Sequence, residues 1–447
     1  MDFKGKKILV LGAGKTGIAT ARFLGGLGAQ VTLTDEKPLG NWGADFKQIA
    51  REQWLTAAAF NSAALEGVSM LIPSPGFPPY NTLLLEALKR KVPVISEIEL
   101  ASRFFKTPLV AITGTNGKTT TTTLVGEMLK KAGKNVFVGG NIGNPLIEYA
   151  AGQAGAEFAV AEISSFQLQW VDEFRPLVAI LLNVTVDHID YHGSFAAYLK
   201  VKSRIFARQT KDDFAVLNAD DPALKGLIPN IQAKIALFSS RRELKEGIFL
   251  KKDEIVFNIS GFACETYPRE MIKLPGMHNV ENVMAAIIAA RFCGIDQESI
   301  KACIAEFRGL PHRLEFAGEK NAIKFYDDSK GTNVDSVARA LETFSSPVIL
   351  LLGGRDKDGN FEALKELLSR KAKKVILFGE AQERIDSLIG HSVGKIKKPT
   401  LGEAIKEAYK NAAPGDIILL APGCASFDEF RNYKERGEFF KQTVRNL

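Results

Sequence analysis

Hydrophobic runs of four to eight residues alternate with amphipathic segments of helix length along most of the chain. This alternation is typical of βαβ units, in which a helix connects two parallel strands. Breaks in the pattern divide the 447 residues into three parts, 1–97, 98–309 and 310–447. We therefore expect an α/β protein of three domains: a Rossmann-like N-terminal domain, a central domain with a mostly parallel sheet, and a Rossmann-like C-terminal domain.

Each part has its own set of expected strands. In the first part they are ILVLGAG, QVTLTD, MLIPSPG and VPVIS. The second part runs from PLVAITGTNGKTT through NVFVGGNIG, FAVAEISS, VAILLNVTVDH and FAVLNADDP into a β-rich stretch and a closing helical segment. The third begins near GLPHRLEF and has strands at IKFY, VILLL, KKVILF and DIILLA. Polar residues directly follow these runs, and ligands of open parallel sheets bind at the carboxyl ends of strands.

Composition narrows the class of protein. Hydrophobic residues make up 46% of the chain, enough for several buried cores, and no apolar run has the length of about 18 residues that a membrane span needs. The N-terminus enters a strand pattern without the features of a signal peptide, so we expect a cytoplasmic protein. The four cysteines form no C-x-x-C pair and suit core positions in a reducing compartment.

The formal net charge of +7 raises the question of nucleic-acid binding. Lys and Arg are spread along the chain, however, without a long basic run and without interleaved aromatic residues. This distribution favours a solvated surface that attracts small anionic molecules. We expect neither a nucleic acid nor a membrane as partner.

The segment ITGTNGKTTTTT, which starts at Ile112, indicates a phosphate-binding loop between a strand pattern and a helix pattern. Gly114 and Gly117 allow the backbone to curl so that its N–H groups point at phosphate oxygens. Lys118 adds positive charge, and Thr119 offers a hydroxyl to Mg²⁺. The full P-loop pattern has a glycine where this chain has Ile112, so the sequence predicts a variant loop in a P-loop-type central domain.

A second glycine motif, GAGKTG, follows the first strand pattern and contains Gly12, Gly14 and Gly17. Asp35 ends the next strand pattern, close to the spacing of the Rossmann dinucleotide fingerprint. The motif fits NAD, but the same geometry recognises any pyrophosphate with an attached ribose. Because no obvious His or Tyr constellation for hydride transfer is present, we favour a nucleotide-linked substrate.

Two further polar residues follow strands of the central part. Glu162 ends FAVAE, and His188 follows VAILLNVTVD. Both are expected at the sheet edge that carries the phosphate loop, where carboxylate and imidazole ligands could hold a divalent ion. The alternative for a single histidine at such a position is a structural role.

Lys202 lies on the apolar face of a predicted helix. That face comprises Phe195, Leu199, Lys202 and Phe206, whereas Lys200, Arg204 and Arg208 lie on another face. A buried ammonium is costly, so Lys202 should have a lowered pKa, a partner, or a modification that removes its charge. The alternative is a lysine that extends along the apolar face to water.

Three polar loops follow strands of the third part: DDSKGTN, GGRDKDG and PGCASFDEFRNY. Each could be a solvated turn. Together, with glycine in each and lysine in two, they indicate an anion-binding rim. Arg313, in LPHRLEF, lies at the expected hinge between the second and third parts.

The ordered set of motifs resembles the Mur ligases of peptidoglycan synthesis over essentially the whole chain. The motifs are TGTNGKT, EISSFQL, NVTVDHID, YLKVKSRIF, GMHNVENVMAA, LPHRLE, DDSKGTN, GGRDKDG and APGCASFDEF. Within that family, SSFQL and CASFDEF are similar to the members that add D-glutamate.

The resemblance implies an ATP-driven amide bond between UDP-N-acetylmuramoyl-L-alanine and D-glutamate, formed through an acyl phosphate. It implies that 1–97 binds the UDP-linked substrate, 98–309 binds ATP and 310–447 binds the amino acid. It also implies Mg²⁺ at two sites and a CO₂-derived carbamate on Lys202. We expect the protein to be a monomer.

The resemblance also implies roles for individual residues. ATP contacts fall on Gly114, Thr115, Asn116, Gly117, Lys118, Thr119, Thr120, Asn282, Arg313 and Asp328. Contacts to the UDP-linked substrate fall on Lys15, Thr16, Gly17, Asp35, Glu36, Ser74, Gly76, Asn141, Ser164 and His188. D-Glutamate contacts fall on Lys330, Thr332, Lys357, Ser426 and Tyr433. The metal ligands are Thr119, Glu162, His188 and Lys202, and the catalytic set is Lys118, Glu162, His188, Lys202, Lys330 and Lys357.

Three alternatives stay open on the sequence. GAGKTG and Asp35 would also suit an NAD-dependent oxidoreductase with an accessory nucleotide site. The phosphate loop and the net charge would suit a P-loop motor or a nucleic-acid binder. Another amino-acid ligase of the same fold, such as a diaminopimelate- or lysine-adding enzyme or a folylpolyglutamate synthetase, is the nearest alternative.

Overall fold

The computed structural model describes residues 2–152 and 155–447. Two compact units are present: Met1–Met271 with Asn282–Ala305, and Ile272–Glu281 with Glu306–Leu447. Among the described residues, the first unit contains two sheets and the second contains one. In the described part of the chain no helix is both long and apolar enough to cross a membrane.

The first sheet is wholly parallel. Its strands are β1 (Lys7–Leu11), β2 (Gln30–Thr34), β3 (Leu55–Ala57) and β4 (Met70–Pro73), in the order β3-β2-β1-β4. The accompanying helices are α1 (Lys15–Gly26), α2 (Ala44–Lys47), α3 (Thr82–Lys89) and α4 (Glu97–Ser102). Strand β1 is almost completely buried, as expected for a strand covered on both faces.

Two details of this sheet differ from the sequence prediction. VPVIS is not a strand, because only an isolated bridge joins Val94 to Leu71. Strand β3 was not predicted, since Leu55–Ala57 is short, largely exposed and has no apolar run. An edge strand needs only one partner, here β2, and can therefore be short and polar.

The second sheet has nine strands in the order β13-β12-β11-β10-β9-β8-β5-β7-β6. They are β5 (Leu109–Thr113), β6 (Val136–Gly140), β7 (Phe158–Glu162), β8 (Val178–Leu181), β9 (Phe214–Asn218), β10 (Lys234–Ser239), β11 (Gly247–Lys251), β12 (Glu254–Asn258) and β13 (Glu265–Pro268). Pairings from β6 through β11 are parallel, and β11-β12-β13 are antiparallel, which agrees with the predicted β-rich stretch.

Helices connect and follow these strands. They are α5 (Lys118–Lys131), α6 (Leu146–Gly152), α7 (Ser165–Leu168), α8 (Ile189–His192), α9 (Phe195–Ser203), α10 (Pro222–Lys225), α11 (Met277–Phe292) and α12 (Gln297–Glu306). The carboxyl ends of β5 and β7 lie side by side, since Ile112 pairs with Glu162. This register brings the phosphate loop next to Glu162.

The third sheet has the order β14-β15-β19-β16-β17-β18 and is parallel except for β14. Its strands are β14 (Glu315–Lys320), β15 (Ile323–Asp327), β16 (Val348–Gly353), β17 (Ala372–Phe378), β18 (Lys395–Lys398) and β19 (Ile417–Gly423). The helices are α13 (Val334–Glu342), α14 (Lys365–Lys371), α15 (Gln382–Ile389), α16 (Leu401–Lys410) and α17 (Tyr433–Arg445). Strands β16 and β19 are buried throughout and form the centre of this core.

The three mostly parallel sheets confirm the predicted α/β fold class. The order β3-β2-β1-β4 matches the first four strands of a Rossmann sheet. The boundaries after residues 97 and 309 stay predictions.

Candidate active site

The loop between β5 and α5 has a backbone that glycine permits. Gly114 has φ of +151° and Gly117 has φ of +87°, values that other residues rarely adopt. A Cβ on Gly117 would lie 2.2 Å from Asn282 Oδ1, so the structure brings Asn282 directly against the loop. The amide of Asn116 donates to Asn183 Oδ1 at 2.9 Å, which fixes the middle of the turn.

Two lysines converge on one carbonyl of this loop. Lys118 Nζ donates to the carbonyls of Gly114 at 2.8 Å and Thr115 at 2.7 Å. Lys202 Nζ also donates to the Gly114 carbonyl, at 2.9 Å. The two cations therefore repel each other across a single oxygen atom.

Lys202 is 1% exposed, whereas Lys200, on the same helix α9, is exposed. This confirms the predicted burial of Lys202. Its ammonium lies 4.6 Å from the centre of the Tyr198 ring. Burial, followed by the charge of Lys118, lowers the pKa of Lys202 well below its usual value, and the charges of Asp187 and Glu162 act in the opposite direction.

Glu162 is 2% exposed and both of its carboxylate oxygens are bonded. Thr119 Oγ1 donates to Oε2 at 2.7 Å, and Asn141 Nδ2 donates to Oε1 at 2.7 Å. Thr119 and Glu162, both predicted metal ligands, are thus in direct contact. Asn141, predicted for the UDP-linked substrate, lies at this carboxylate.

His188 stands in the left-handed region, with φ of +53°. Its carbonyl accepts the first backbone bonds of α8, from Tyr191 N and His192 N. The imidazole centre lies 4.7 Å from the Phe166 ring and 6.3 Å from the Tyr198 ring. Such strained backbone at a non-glycine residue is more frequent at functional sites. Thr119, Glu162, His188 and Lys202 are the four predicted metal ligands, and for brevity we call this predicted set the metal cluster.

The predicted phosphate site of the first sheet is built around close approaches. A Cβ on Gly17 would lie 1.8 Å from the Gly12 carbonyl, and one on Gly12 would lie 2.5 Å from Ser74 Oγ. Ser74 Oγ is buried and has no hydrogen-bond partner among the described residues. A buried hydroxyl beside a glycine turn is well suited to a polar ligand such as a pyrophosphate.

The remaining predicted residues of the UDP-linked substrate have varied positions. Asp35 accepts from the amide of Ala13 at 2.7 Å, which ties the ends of β1 and β2 together. Glu36 Oε1 accepts from Asn81 Nδ2 at 2.9 Å. Ser164 caps α7 in a capping box with Gln167, while Thr16 is half-buried and Gly76 exposed.

Lys15 reaches from α1 to the loop after β6. Its Nζ donates to the Gly143 carbonyl at 2.9 Å and to Asn144 Oδ1 at 3.0 Å. The GAGKTG turn is therefore connected to the loop that starts with Asn141.

In the second unit, backbone bonds join the three polar loops predicted for the amino acid. Gly423 N donates to the Gly331 carbonyl at 3.0 Å, and Arg355 and Ala425 exchange two backbone bonds of 2.9 Å. Ser426 is buried, Thr332 is half-buried and Lys357 is exposed. The predicted glutamate residues thus lie on connected loops at strand ends.

Two residues of these loops, Lys330 and Asp328, have further contacts. Lys330 Nζ lies 5.3 Å from the centre of the Tyr433 ring. Asp328 is buried, and this burial raises its pKa to about 7 although the charge of Arg313 acts in the opposite direction. Asp328 Oδ1 accepts from the amide of Leu314 at 3.2 Å.

Family models match three successive parts of the chain. A family model for the Mur ligase MurD-like N-terminal domain matches residues 6–96, the Mur ligase middle domain matches 112–290, and the Mur ligase glutamate ligase domain matches 312–424. The chain belongs to the Mur ligase family.

Curated relatives are similar to this Mur ligase from end to end. A protein of Syntrophus aciditrophicus named UDP-N-acetylmuramoylalanine--D-glutamate ligase is 52% identical over 447 residues, which is 100% of this chain and 99% of the relative. A protein of Geotalea daltonii with the same name is 44% identical over 450 residues, covering 100% and 99%.

Solved structures share the fold of this Mur ligase. A pseudomurein peptide ligase type C from Methanothermus fervidus has a TM-score of 0.63 at 19% identity, covering 99% of this chain and 100% of its own. The UDP-N-acetylmuramate-alanine ligase of Thermotoga maritima has a TM-score of 0.58 at 19% identity, covering 99% of both chains.

One buried cation of this Mur ligase escaped the sequence analysis. Arg436, on α17, is 0% exposed, and its Nη2 donates to the carbonyls of Ser329 at 2.8 Å and Cys424 at 3.0 Å. It thereby holds two of the three polar loops. The signal was present, because Arg436, Phe440 and Val444 share one helix face, as Lys202 does with its apolar neighbours.

Proposed function

We propose that this Mur ligase joins D-glutamate to UDP-N-acetylmuramoyl-L-alanine in an ATP-dependent step of cytoplasmic peptidoglycan precursor synthesis. The observation that carries this proposal is the end-to-end similarity, at 52% identity, to a relative named for that reaction. The geometry supports it, since a phosphate loop, a buried carboxylate and two lysines lie together at one sheet edge.

The reaction needs charge neutralisation and alignment more than a protein nucleophile. The alanyl carboxylate attacks the γ-phosphorus of ATP, the bond to the β–γ bridging oxygen breaks, and ADP leaves. The amine of D-glutamate then attacks the acyl carbon of the acyl phosphate. Inorganic phosphate leaves with the electrons of the C–O bond, and the amine loses a proton to form the amide.

Mg²⁺ fits the residues of the metal cluster. Thr119 Oγ1 and the Glu162 carboxylate are oxygen donors of the kind that Mg²⁺ prefers, and they are already oriented by their mutual hydrogen bond. His188 adds a nitrogen donor. Bound Mg²⁺ neutralises charge on the phosphate oxygens; we assign two ions to the site.

A CO₂-derived carbamate suits Lys202. Burial and the charge of Lys118 favour the neutral amine, which is the nucleophilic form. The neutral nitrogen would bond to the carbon of CO₂ while one C=O π bond opens to place the negative charge on oxygen, and a nitrogen proton would leave to solvent. The product would be an anion beside Lys118 in place of a costly buried ammonium. The anion supplies a further oxygen donor to the metal cluster.

Within the first unit, the nucleotide phosphates are assigned to the turn from Gly114 to Thr120, with Asn282 against it. The UDP-linked substrate is assigned to the GAGKTG turn, Asp35, Glu36 and the loop from Ser74 to Gly76. In the second unit, assignments rest on the resemblance: Arg313 and Asp328 for the nucleotide, and Lys330, Thr332, Lys357, Ser426 and Tyr433 for D-glutamate. No other macromolecule is required, and the monomer is assigned as the active species.

A phosphate-release assay tests the proposal directly. The full-length protein receives ATP, Mg²⁺, UDP-N-acetylmuramoyl-L-alanine and one amino acid of a panel that includes D-glutamate, L-glutamate, L-lysine and diaminopimelate. Phosphate release is expected with D-glutamate and not with the others. Release with a diamino acid alone would assign the chain to a different member of the family.

Titration with UDP and with NADH separates the two interpretations of the GAGKTG turn. Binding of UDP without binding of NADH is expected. Tight NADH binding with no response to UDP would contradict the proposed substrate. Size-exclusion chromatography with light scattering tests the monomer.

A further inference from the structure

Two tyrosine hydroxyls connect the loop after β4 of the first sheet to helix α8 beside the second sheet. One tyrosine belongs to the helix and the other to the loop. Tyr191, in α8, donates its hydroxyl to the Phe77 carbonyl at 2.9 Å. Tyr80 donates its hydroxyl to the Asp190 carbonyl at 3.0 Å. Phe77 and Tyr80 belong to the loop of residues 74–80 that follows β4, which we call the substrate loop. The resemblance to the family assigned a role to neither tyrosine.

The two hydrogen bonds differ in burial. Tyr191 is 8% exposed, and burial raises the pKa of its phenol above the usual value, so the hydroxyl keeps the proton that it donates. Tyr80 is 59% exposed, and water competes for both of its partners. A buried hydrogen bond contributes more when intact and costs more when broken, so the Tyr191 bond is the stronger connection.

The acceptor of the Tyr191 hydrogen bond, Phe77, lies next to the predicted pyrophosphate site. The Phe77 amide donates to the Ser74 carbonyl at 3.2 Å, which closes a turn of the substrate loop. The Phe77 ring lies 3.0 Å from the position that a Cβ on Gly12 would occupy. A displacement of the Phe77 carbonyl therefore shifts the loop that holds the buried Ser74 hydroxyl beside GAGKTG.

On the side away from Phe77, Tyr191 contacts Phe166, which in turn contacts His188 of the metal cluster. The Tyr191 ring lies 4.3 Å from the Phe166 ring, and Phe166 lies 4.7 Å from the His188 imidazole. The Tyr191 amide donates to the His188 carbonyl at 3.1 Å, so Tyr191 also fixes the left-handed turn at His188. The Tyr191 side chain thus contacts the substrate loop directly and His188 through the Phe166 ring.

We infer that Tyr191 is a positioning residue, whose hydrogen bond to Phe77 couples binding of the UDP-linked substrate to binding of the Mg²⁺–nucleotide. The inference rests on the proposed function for the identity of these two ligands. By reciprocity, each ligand then raises the affinity of the protein for the other by the same factor. The coupling holds the alanyl carboxylate in line with the γ-phosphate, where alignment controls the rate.

The test measures this factor in the full-length protein by titration calorimetry. The dissociation constant of UDP-N-acetylmuramoyl-L-alanine is determined with and without Mg²⁺ and a non-hydrolysable ATP analogue. The wild type is expected to bind at least about five-fold more tightly with the analogue present. In Tyr191→Phe, which removes only the donor oxygen, the ratio is expected to fall to about two or less, with affinity for the analogue alone unchanged.

Tyr80→Phe is the matched control, since it removes the exposed hydrogen bond at the same junction. It is expected to keep the ratio of the wild type. Phe166→Leu is a second variant, which weakens the aromatic contact with His188 and should also lower the ratio. If Tyr191→Phe shows no melting transition and is therefore not folded, Phe166→Leu provides the test instead.

Three results would overturn the inference: a wild-type ratio of one, a wild-type ratio retained in both Tyr191→Phe and Phe166→Leu, or an equal loss in Tyr80→Phe. The phosphate-release assay is independent of these ratios. A wild type that shows coupled binding but releases no phosphate with D-glutamate contradicts the proposed function and leaves the role of Tyr191 standing.

Discussion

At the scale of single residues, burial decides which ordinary side chains acquire unusual chemistry. Lys200 and Lys202 are two positions apart on α9, yet Lys200 is exposed while Lys202 donates to the Gly114 carbonyl inside the protein. Desolvation lowers the pKa of a lysine and raises that of a carboxyl group. Lys202 and Asp328 show these two effects in different units of the chain.

Lys202→Ala should lose nearly all ligase activity, because it removes both the buried amine and the carbamate that we assign to it. A fall of about a hundred- to a thousand-fold in kcat is expected, the range found when other electrostatic groups are removed. Short carboxylates such as acetate should restore part of the activity in a phosphate-release assay. Lys200→Ala is the control and should retain activity; near wild-type rates in Lys202→Ala would rule out a metal role.

Asp328 gives the second unit a pH-dependent stability. Burial raises its pKa from 3.8 to about 7. Between these two pH values the carboxyl group is protonated in the native state and ionised in the unfolded state. Stability from this group is complete below pH 3.8 and is lost as pH rises through about 7.

Asp328→Asn, which stays neutral, should therefore be stabilised relative to the wild type as pH rises. Between pH 5 and pH 7.5 the relative gain should be on the order of 2–3 kcal/mol. Urea unfolding of both proteins at the two pH values measures it. A constant difference would show that Arg313 fully compensates the buried carboxylate.

At the scale of elements, glycine geometry explains why the phosphate loop was predictable. The strand predicted at the start of PLVAITGTNGKTT matches β5, Leu109–Thr113, and the helix predicted at its end begins at Lys118. A fully apolar run, a glycine turn and a long helix pattern all specify the same boundaries. Strands β3 and β18 lack such signals, since LTA and KIKK are short edge strands stabilised by a neighbour.

Gly117→Ala should weaken nucleotide binding strongly. The new Cβ would collide with the Asn282 side chain and would also force alanine into a left-handed backbone. An increase of about ten-fold or more in KM for ATP is expected, which corresponds to the 1–3 kcal/mol of such strain.

The control for this substitution lies at the other end of α5. Gly133 has φ of +78°, but a Cβ there meets no atom within 4 Å. Gly133→Ala should lower the melting temperature and leave KM for ATP within about two-fold, because its cost is backbone strain alone. Equal KM values for ATP in the two variants would show that the contact with Asn282 has no role in nucleotide binding.

At the scale of the whole molecule, the sequence established the α/β class and the order of the motifs, but not which side chains meet. Asn141 was assigned to the UDP-linked substrate by resemblance, yet it bonds Glu162, 21 residues further along. That contact depends on β6 lying beside β7, which the local pattern does not encode. The buried Arg436 differs from Asn141, because its local pattern does predict burial: Arg436, Phe440 and Val444 recur on one face of α17.

The net charge of +7 should have no consequence for nucleic acids. Many surface lysines are already paired, as Lys397 is with Glu383 and Asp386. We expect DNA or RNA to leave phosphate release from ATP unchanged at 150 mM salt, whereas the UDP-linked substrate with D-glutamate stimulates it. Stimulation by either nucleic acid would revive a motor or a nucleic-acid binder.

The carbonyl oxygen of Gly114 accepts hydrogen bonds from both Lys118 and Lys202. The chemical state of Lys202 therefore bears directly on the nucleotide loop. If Lys202 carries the carbamate proposed above, removal of dissolved carbon dioxide by degassing should return it to an amine, and Lys118 should lose a nearby counter-anion. On that proposal the affinity for ATP depends partly on dissolved carbon dioxide, and the bicarbonate concentration of the buffer has to be controlled in every binding measurement.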